Sequence, residues 1–335
     1  MTHEAPLVQV KDAARWFDVS APWLERVLSG KPRTMLRAVD GVSFSINRGE
    51  TLALVGESGC GKSTMARLLV GLYPLTRGEI QIDGQSIATL QGPQGKALRR
   101  RLQMIFQDPY ASLNPRWRVG RIIAEPLKAH TSMSTDQQDA RVDELLTQVG
   151  LNPADKQRYP HQFSGGQRQR ISIARALALK PEFLVCDEPT SALDVSVQAQ
   201  VLNIMKDLQR TLGLTYLFIS HNLAVVHHVA DRVGVMYLGR IVEIATRDEL
   251  FKNPRHPYTR MLISAIPDLE GRGASRTPVA GEVPNPLQPP SGCTFHPRCP
   301  LARDICRAQA PELLSQTQSP QTQVACHAVQ EHWES

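Results

Sequence analysis

The chain has 335 residues, 41% of them hydrophobic and 21% charged, with a formal net charge of +6. It is apolar enough to bury a large core and too apolar for global disorder, while no apolar run reaches the roughly 20 residues of a membrane-spanning helix, which excludes an integral membrane protein. The mild positive charge suits nucleotides, anionic headgroups and nucleic acid alike, and the opening MTHEAPLVQVKD carries no basic-then-apolar pattern, so no secretory signal is expected.

In chain order, Leu7–Val10 reads as the first strand, and Val42–Ile46, Thr51–Val55 and Glu79–Ile82 as the next three, bounded by the turn pairs Asp40-Gly41, Arg48-Gly49 and Asp83-Gly84. Between the first two lies an insertion, Val19–Leu36, with Pro22, Gly30 and Pro32 and no assignable role. After Thr51–Val55 comes Gly56-Glu57-Ser58-Gly59-Cys60-Gly61-Lys62-Ser63, then Thr64 and the helix-like KSTMARLLVGL. A strand, this glycine spacing and a helix together are the context of a P-loop, whose backbone N–H groups surround phosphate oxygens at a positive helix end. Lys62 would reach the β- and γ-phosphates, Ser63 would ligate Mg²⁺, and Cys60 occupies a free position.

Further along, Arg99-Arg100-Arg101 reads as a solvated helix end. Thr135–Val149 carries Val142, Leu145, Leu146 and Val149 at helical spacing, with Ser134 or Thr135 as cap and Gly150 as stop. Leu184–Cys186 and Leu217–Ile219 are continuous apolar runs suited to buried parallel strands. The first ends in Asp187 and Glu188. Asp187 can hold Mg²⁺ through water, and Glu188 can polarise the attacking water as general base. Strands alternating with helices predict an α/β sheet covered on both faces.

Near residue 254 the composition changes. Pro278, Pro284, Pro286, Pro289, Pro290, Pro297 and Pro300 predict an appendage with few regular elements of its own. Cys293, Cys299, Cys306 and Cys326 follow the spacing C-x5-C-x6-C-x19-C, which lacks a C-x2-C knuckle. In a chain without an export signal the cluster suggests a [4Fe–4S] site rather than disulfides, with His296 and His327 as ligands should zinc bind instead.

The stretch Phe163-Ser164-Gly165-Gly166-Gln167, followed by RQRISIARALAL, resembles the signature of ABC ATPases, with Phe163 in place of the usual Leu. The resemblance implies that Ser164, Gly165, Gly166 and Gln167 complete the ATP site of a partner subunit in trans. It implies further that Gln107, in IFQDPYASLNP, is the Q-loop glutamine sensing Mg²⁺ and the membrane domain. Ser191-Ala192-Leu193-Asp194 matches the D-loop, and His221, in FISHNL with Asn222 where Asp is common, matches the switch histidine. Trp16 and Phe17 are both candidates to stack on adenine, Phe17 preferred.

NPRHPYTRMLISAIP and GEVPNPLQPPSGCTFHPRC resemble the C-terminal region of ATPases serving dipeptide and oligopeptide importers, including those for nickel and glutathione. The implied fold is a P-loop ABC ATPase: a parallel-sheet core with an antiparallel β subdomain and a helical subdomain, spanning 7–258, the helical part at about 108–180, then a Pro/Cys-rich extension at 259–335. The implied function is the ATP-hydrolysing motor of a peptide importer, at the cytoplasmic face of the cell membrane. Its partners would be a second related ATPase in a heterodimer, two permease subunits and an extracytoplasmic binding protein, with no nucleic acid. A soluble ABC ATPase acting on nucleic acid or ribosomes is the alternative class. A long coiled coil or a second cassette would favour it, and the sequence has neither. A non-catalytic scaffold would tolerate loss of Glu188 or His221, and both are present.

Overall fold

Successive residues of the strand Thr51–Val55 face opposite ways, and both faces are apolar: Leu52 and Leu54 enter one core, Ala53 and Val55 another. Phe183–Asp187 divides likewise, with Phe183 and Val185 in the first core and Leu184 and Cys186 in the second. A strand buried on both faces has no polar side to alternate, hence the unbroken apolar runs. A computed structural model describes residues 5–30, 32–89, 92–265, 281–317 and 319–333; Pro278 lies outside them.

The strands are β1 (Val8–Asp18), β2 (Met35–Ile46), β3 (Thr51–Val55), β4 (Arg77–Ile82), β5 (Gln85–Ser86), β6 (Leu102–Ile105), β7 (Phe183–Asp187), β8 (Thr215–Ile219), β9 (Arg232–Tyr237), β10 (Arg240–Thr246), β11 (Leu314–Gln316) and β12 (Ser319–Val324). They form a four-stranded sheet, β2-β1-β4-β5, and an eight-stranded one, β11-β12-β10-β9-β3-β8-β7-β6. In the larger sheet β6, β7, β8, β3 and β9 run parallel, and β10, β12 and β11 add antiparallel to one side. The smaller sheet packs Val8, Val10, Val42, Ile46, Ile80 and Ile82 onto the core that holds Leu52 and Leu54.

The helices are α1 (Trp23–Ser29), α2 (Lys62–Leu69), α3 (Gly92–Arg101), α4 (Pro109–Ser112), α5 (Val119–His130), α6 (Thr135–Gln148), α7 (Gly165–Leu177), α8 (Val195–Leu212), α9 (Leu223–Val229), α10 (Arg247–Lys252), α11 (Pro257–Ser264), α12 (Asp304–Ala308) and α13 (His327–Gln330). α2 places Met65, Leu68 and Leu69 on the core beneath the smaller sheet. α5, α6, α7 and α8 place Ile123, Leu145, Ile171 and Val201 on the opposite core. α6 starts as expected: Ser134 accepts from the Gln137 N–H while Gln137 answers to the Ser134 N–H, a capping box. Arg101, at the end of α3, is tied to Asp83 and Glu182, which also meet Arg48.

Two expectations need correction. β1 continues well past Val10, because a bulge between Val10 and Ala13, with Asp12 at φ 47°, breaks the apolar alternation without ending the strand. Nor is the C-terminal region a detached appendage. β12 pairs with β10 through Glu243↔Val324 and Ile244↔Gln323, and Phe295 is 1% exposed against Tyr237 and Tyr258. Proline punctuates this region, and Pro320 lies inside β12 itself, but the pairs to β10 fall beyond it, at Gln323 and Val324. The insertion folds as the short α1 and returns to β2 at Met35.

Candidate functional site

The P-loop joins β3 to α2. Gly56 has φ 149° and Gly61 φ 108°, and an added Cβ would sit 2.2 Å from the Met236 carbonyl oxygen at the first and 2.1 Å from that of Ala38 at the second. The loop therefore curls tightly against β9 and β2, where only glycine fits. Lys62, the first residue of α2, is 5% exposed and donates Nζ to the carbonyls of Gly56 at 2.8 Å and Glu57 at 3.0 Å. Its ammonium thus lies in the concavity of the loop. Cys60 is buried beside it, and that burial pushes its thiol pKa up.

Asp187 and Glu188 leave the end of β7 in different directions. Asp187 accepts from the Ser63 hydroxyl at 2.9 Å, and its carboxyl is pushed above its ordinary range chiefly by burial. This hydroxyl–carboxylate pair supplies the hard oxygen donors that suit Mg²⁺. Glu188 takes the left-handed region at φ 46°, held by its N–H to the Ile219 carbonyl at 3.0 Å. So turned, its carboxylate receives Gln107 Nε2 at 2.9 Å and stands 3.1 Å from His221 Nδ1. Gln107, Glu188 and His221, drawn from the ends of three neighbouring strands, meet at one carboxylate.

These groups border a cleft of about 920 Å³ that includes Ser58, Gly59, Gly61, Lys62, Ser63, Thr64, Gln107 and Glu188. Phe17 lines it too, in edge contact with Tyr73 and with Arg15 over its ring, whereas Trp16 points its indole N–H at Asp40. Arg33, Arg37 and Arg240 add positive charge to the walls. Ser164, Gly165, Gly166, Gln167 and Asp194 are not among the residues lining this cleft. Ser164 caps α7 through a capping box with Gln167, and Asp194 stands before α8, whose first residue, Val195, is 83% exposed.

The sequence reading missed the contribution of the C-terminal region. Pro286, Leu287, Pro289, Pro290, Ser291, Gly292 and Thr294 form part of the cleft wall, and Tyr258 and Arg298 bond to Glu57. No local spacing signals contacts between residues more than 200 positions apart.

The [4Fe–4S] assignment is overturned. Among the described residues no group of three or more His, Cys, Asp or Glu side chains is arranged to hold a metal ion. Cys306 and Cys326 are buried, and Cys293 and Cys299 are partly buried and pack against the large core, so these thiols behave as small apolar groups. Burial, with neighbouring Cys306 and Cys326 adding to it, pushes the thiols of Cys293 and Cys299 up to about 11. His296 and His327 face the carbonyls of Cys293 and Gln309 instead of a shared centre.

A family model described as ABC transporter matches residues 39–191, and one described as Oligopeptide/dipeptide transporter, C-terminal region, matches residues 242–306. The oligopeptide transport ATP-binding protein AppF of Bacillus subtilis is 49% identical, over 97% of this chain and 98% of its own length. The di/tripeptide transport ATP-binding protein DppF of Pseudomonas aeruginosa is 51% identical, over 96% of this chain and 97% of its own. Among solved structures, the dimeric post-hydrolysis state of the ATP-binding cassette MJ0796, bound to ADP and Pi, superposes with a TM-score of 0.62 at 27% identity, covering 72% of this chain and 98% of that one.

Proposed function

The chain belongs to the ATP-binding subunits of ABC peptide transporters, and from that premise we propose that it is the ATP-hydrolysing motor for import of dipeptides or short peptides. The observation carrying this reading is the meeting of Gln107 and His221 on Glu188, beside the Ser63–Asp187 pair and the P-loop. The N–H groups of the loop and Lys62 receive the β- and γ-phosphates. Ser63, Asp187 and Gln107 would hold Mg²⁺, which when bound would neutralise charge on the phosphate oxygens. Glu188 takes a proton from the attacking water, and His221 orients that carboxylate and contacts the γ-phosphate. Phe17 offers its ring to adenine.

The signature at Ser164–Gln167 serves the site of a partner subunit, and its own cleft receives the partner's. Two observations support this trans arrangement: the signature is not part of the wall of its own cleft, and Val195 next to Asp194 stands exposed. The partner is a second related ATPase. The pair works on two permease subunits fed by an extracytoplasmic binding protein, and this chain sits peripherally at the cytoplasmic face of the membrane. None of its described helices is long and apolar enough to cross one.

The test is the reconstituted complex, assayed for ATP hydrolysis and for uptake of labelled dipeptides, longer peptides, nickel and glutathione. Glu188→Gln should cut hydrolysis by about 10²–10⁴-fold while ATP still binds. Near-normal turnover would remove Glu188 as the base, and ATP-driven uptake of nickel alone would remove the peptide cargo.

A further inference from the structure

Glu57, the second residue of the P-loop, is held from the C-terminal part of the chain at both its backbone and its side chain. Its N–H donates to the Tyr258 hydroxyl at 2.9 Å. Its carboxylate receives both arms of Arg298, Nη1 to Oε2 at 2.8 Å and Nη2 to Oε1 at 3.0 Å. This bidentate pair is well shielded, the Arg298 side chain being 2% exposed. Nη1 also approaches the Tyr237 hydroxyl at 3.4 Å, and Tyr237, Tyr258 and Phe295 pack as one aromatic cluster beneath it. A planar guanidinium set in such a bed fixes distance and orientation together. On its other side Glu57 offers its carbonyl to Lys62 Nζ at 3.0 Å, so a continuous run of bonds leads from Arg298 to the phosphate-binding lysine.

We propose that Arg298 and Tyr258 are positioning residues for the P-loop, holding Glu57 so that ATP affinity depends on docking of the C-terminal region. The inference rests on the P-loop being the ATP site, as proposed above. Neither residue is placed against the nucleotide; both act through Glu57. A phosphate-binding loop works through backbone N–H groups that must already converge. An untethered second residue lets the loop spend time in forms that do not bind, and affinity falls with the competent fraction. The Pro286–Gly292 segment, which walls the cleft, arrives by the same docking.

The test uses the full chain with Glu188→Gln, so that nucleotide is not consumed, titrated with a fluorescent ATP analogue while melting is followed in parallel. Arg298→Met keeps the apolar stem and loses both bonds; the dissociation constant should rise about tenfold. Arg298→Lys, which cannot bind bidentately, should fall between the two. Tyr258→Phe should cost about threefold with a near-native melting temperature. On a Glu57→Ala background, Arg298→Met should add less than about twofold, because its action runs through Glu57.

Affinities within about twofold of the parent for both Arg298→Lys and Tyr258→Phe would overturn the proposal, as would full additivity with Glu57→Ala. These variants decide the matter even if Arg298→Met does not fold. A parent chain unable to bind the analogue would overturn the ATP-site reading and this inference with it. An intact parent with indifferent variants would overturn this inference alone.

Discussion

Gly61 and Gly59 both have positive φ, 108° and 80°, yet their surroundings differ. A Cβ at Gly61 would collide with the Ala38 carbonyl, while one at Gly59 meets nothing within 4 Å. Gly61→Ala should therefore cost stability, about 1–3 kcal/mol from backbone strain and collision, and lower ATP affinity by more than tenfold through displacement of the loop. Gly59→Asn, whose side chain tolerates the left-handed region, should leave the melting temperature nearly unchanged. Equal losses in the two variants, measured by thermal melting and nucleotide titration, would contradict this account. At this scale the sequence was informative because the P-loop is a local pattern, its identity set by consecutive residues. The left-handed turn at Glu188 was not visible. Nothing in Asp187-Glu188 says that one carboxylate turns back to Ser63 while the other swings out to Gln107 and His221.

The start of α7 shows how packing and signature share a residue. A Cβ on Gly166 would lie 2.3 Å from Val197 Cγ1 on α8, so the glycine allows the two helices to approach. Gly166→Ala should lower the melting temperature by a few degrees, equivalent to about 1–2 kcal/mol of overpacking. Adding Val197→Ala should restore the melting temperature. It should not restore hydrolysis in the assembled complex if the bare glycine is also needed by the partner's nucleotide. Recovery of both together would reduce Gly166 to a packing residue. Element by element, the buried strands and α6 were legible from apolar runs and caps, since those signals are local. β1 was read short because its bulge interrupts the period of two, and α1 was missed because the insertion carries no clean helical stripe.

On the scale of the whole molecule, the strand β10 is joined to the start of α11 at a buried polar knot. Glu243 of β10, fully buried, accepts the N–H groups of Arg255 and His256 at 2.9 Å each. His256 is 1% exposed, and its Nδ1 accepts the Tyr258 N–H at 3.0 Å, capping α11 as a neutral ring. Burial, aided by nearby Arg260, holds its pKa down at about 3, against 6.5 ordinarily. A depressed histidine leaves the unfolded chain to take up the proton first, so its contribution to stability is present above 6.5 and is lost as pH falls towards about 3. Glu243 acts oppositely: burial raises its pKa, which favours the folded state at acid pH. Comparison with His256→Asn, which can still cap the helix, isolates the histidine. The variant should gain on the parent in denaturant stability as pH falls below 6.5, and parallel pH profiles would contradict the assignment.

The cleft wall at Pro286–Gly292 and the Arg298–Glu57 pair unite residues far apart in the chain, and composition gave no hint of them. The cysteine spacing misled for the same reason, since spacing says nothing about whether thiols face one another or the core. The pairing of β12 with β10 has one more consequence. Without β12 and β11 the outer side of β10 would be a row of unsatisfied backbone groups on a largely buried, apolar strand, a template for any passing strand. The native edge is instead β11, three residues long, two of them the polar Ser315 and Gln316. A chain cut after α11 would thus be prone to self-association, and the C-terminal region serves as the guard that keeps the motor's central sheet from recruiting its neighbours.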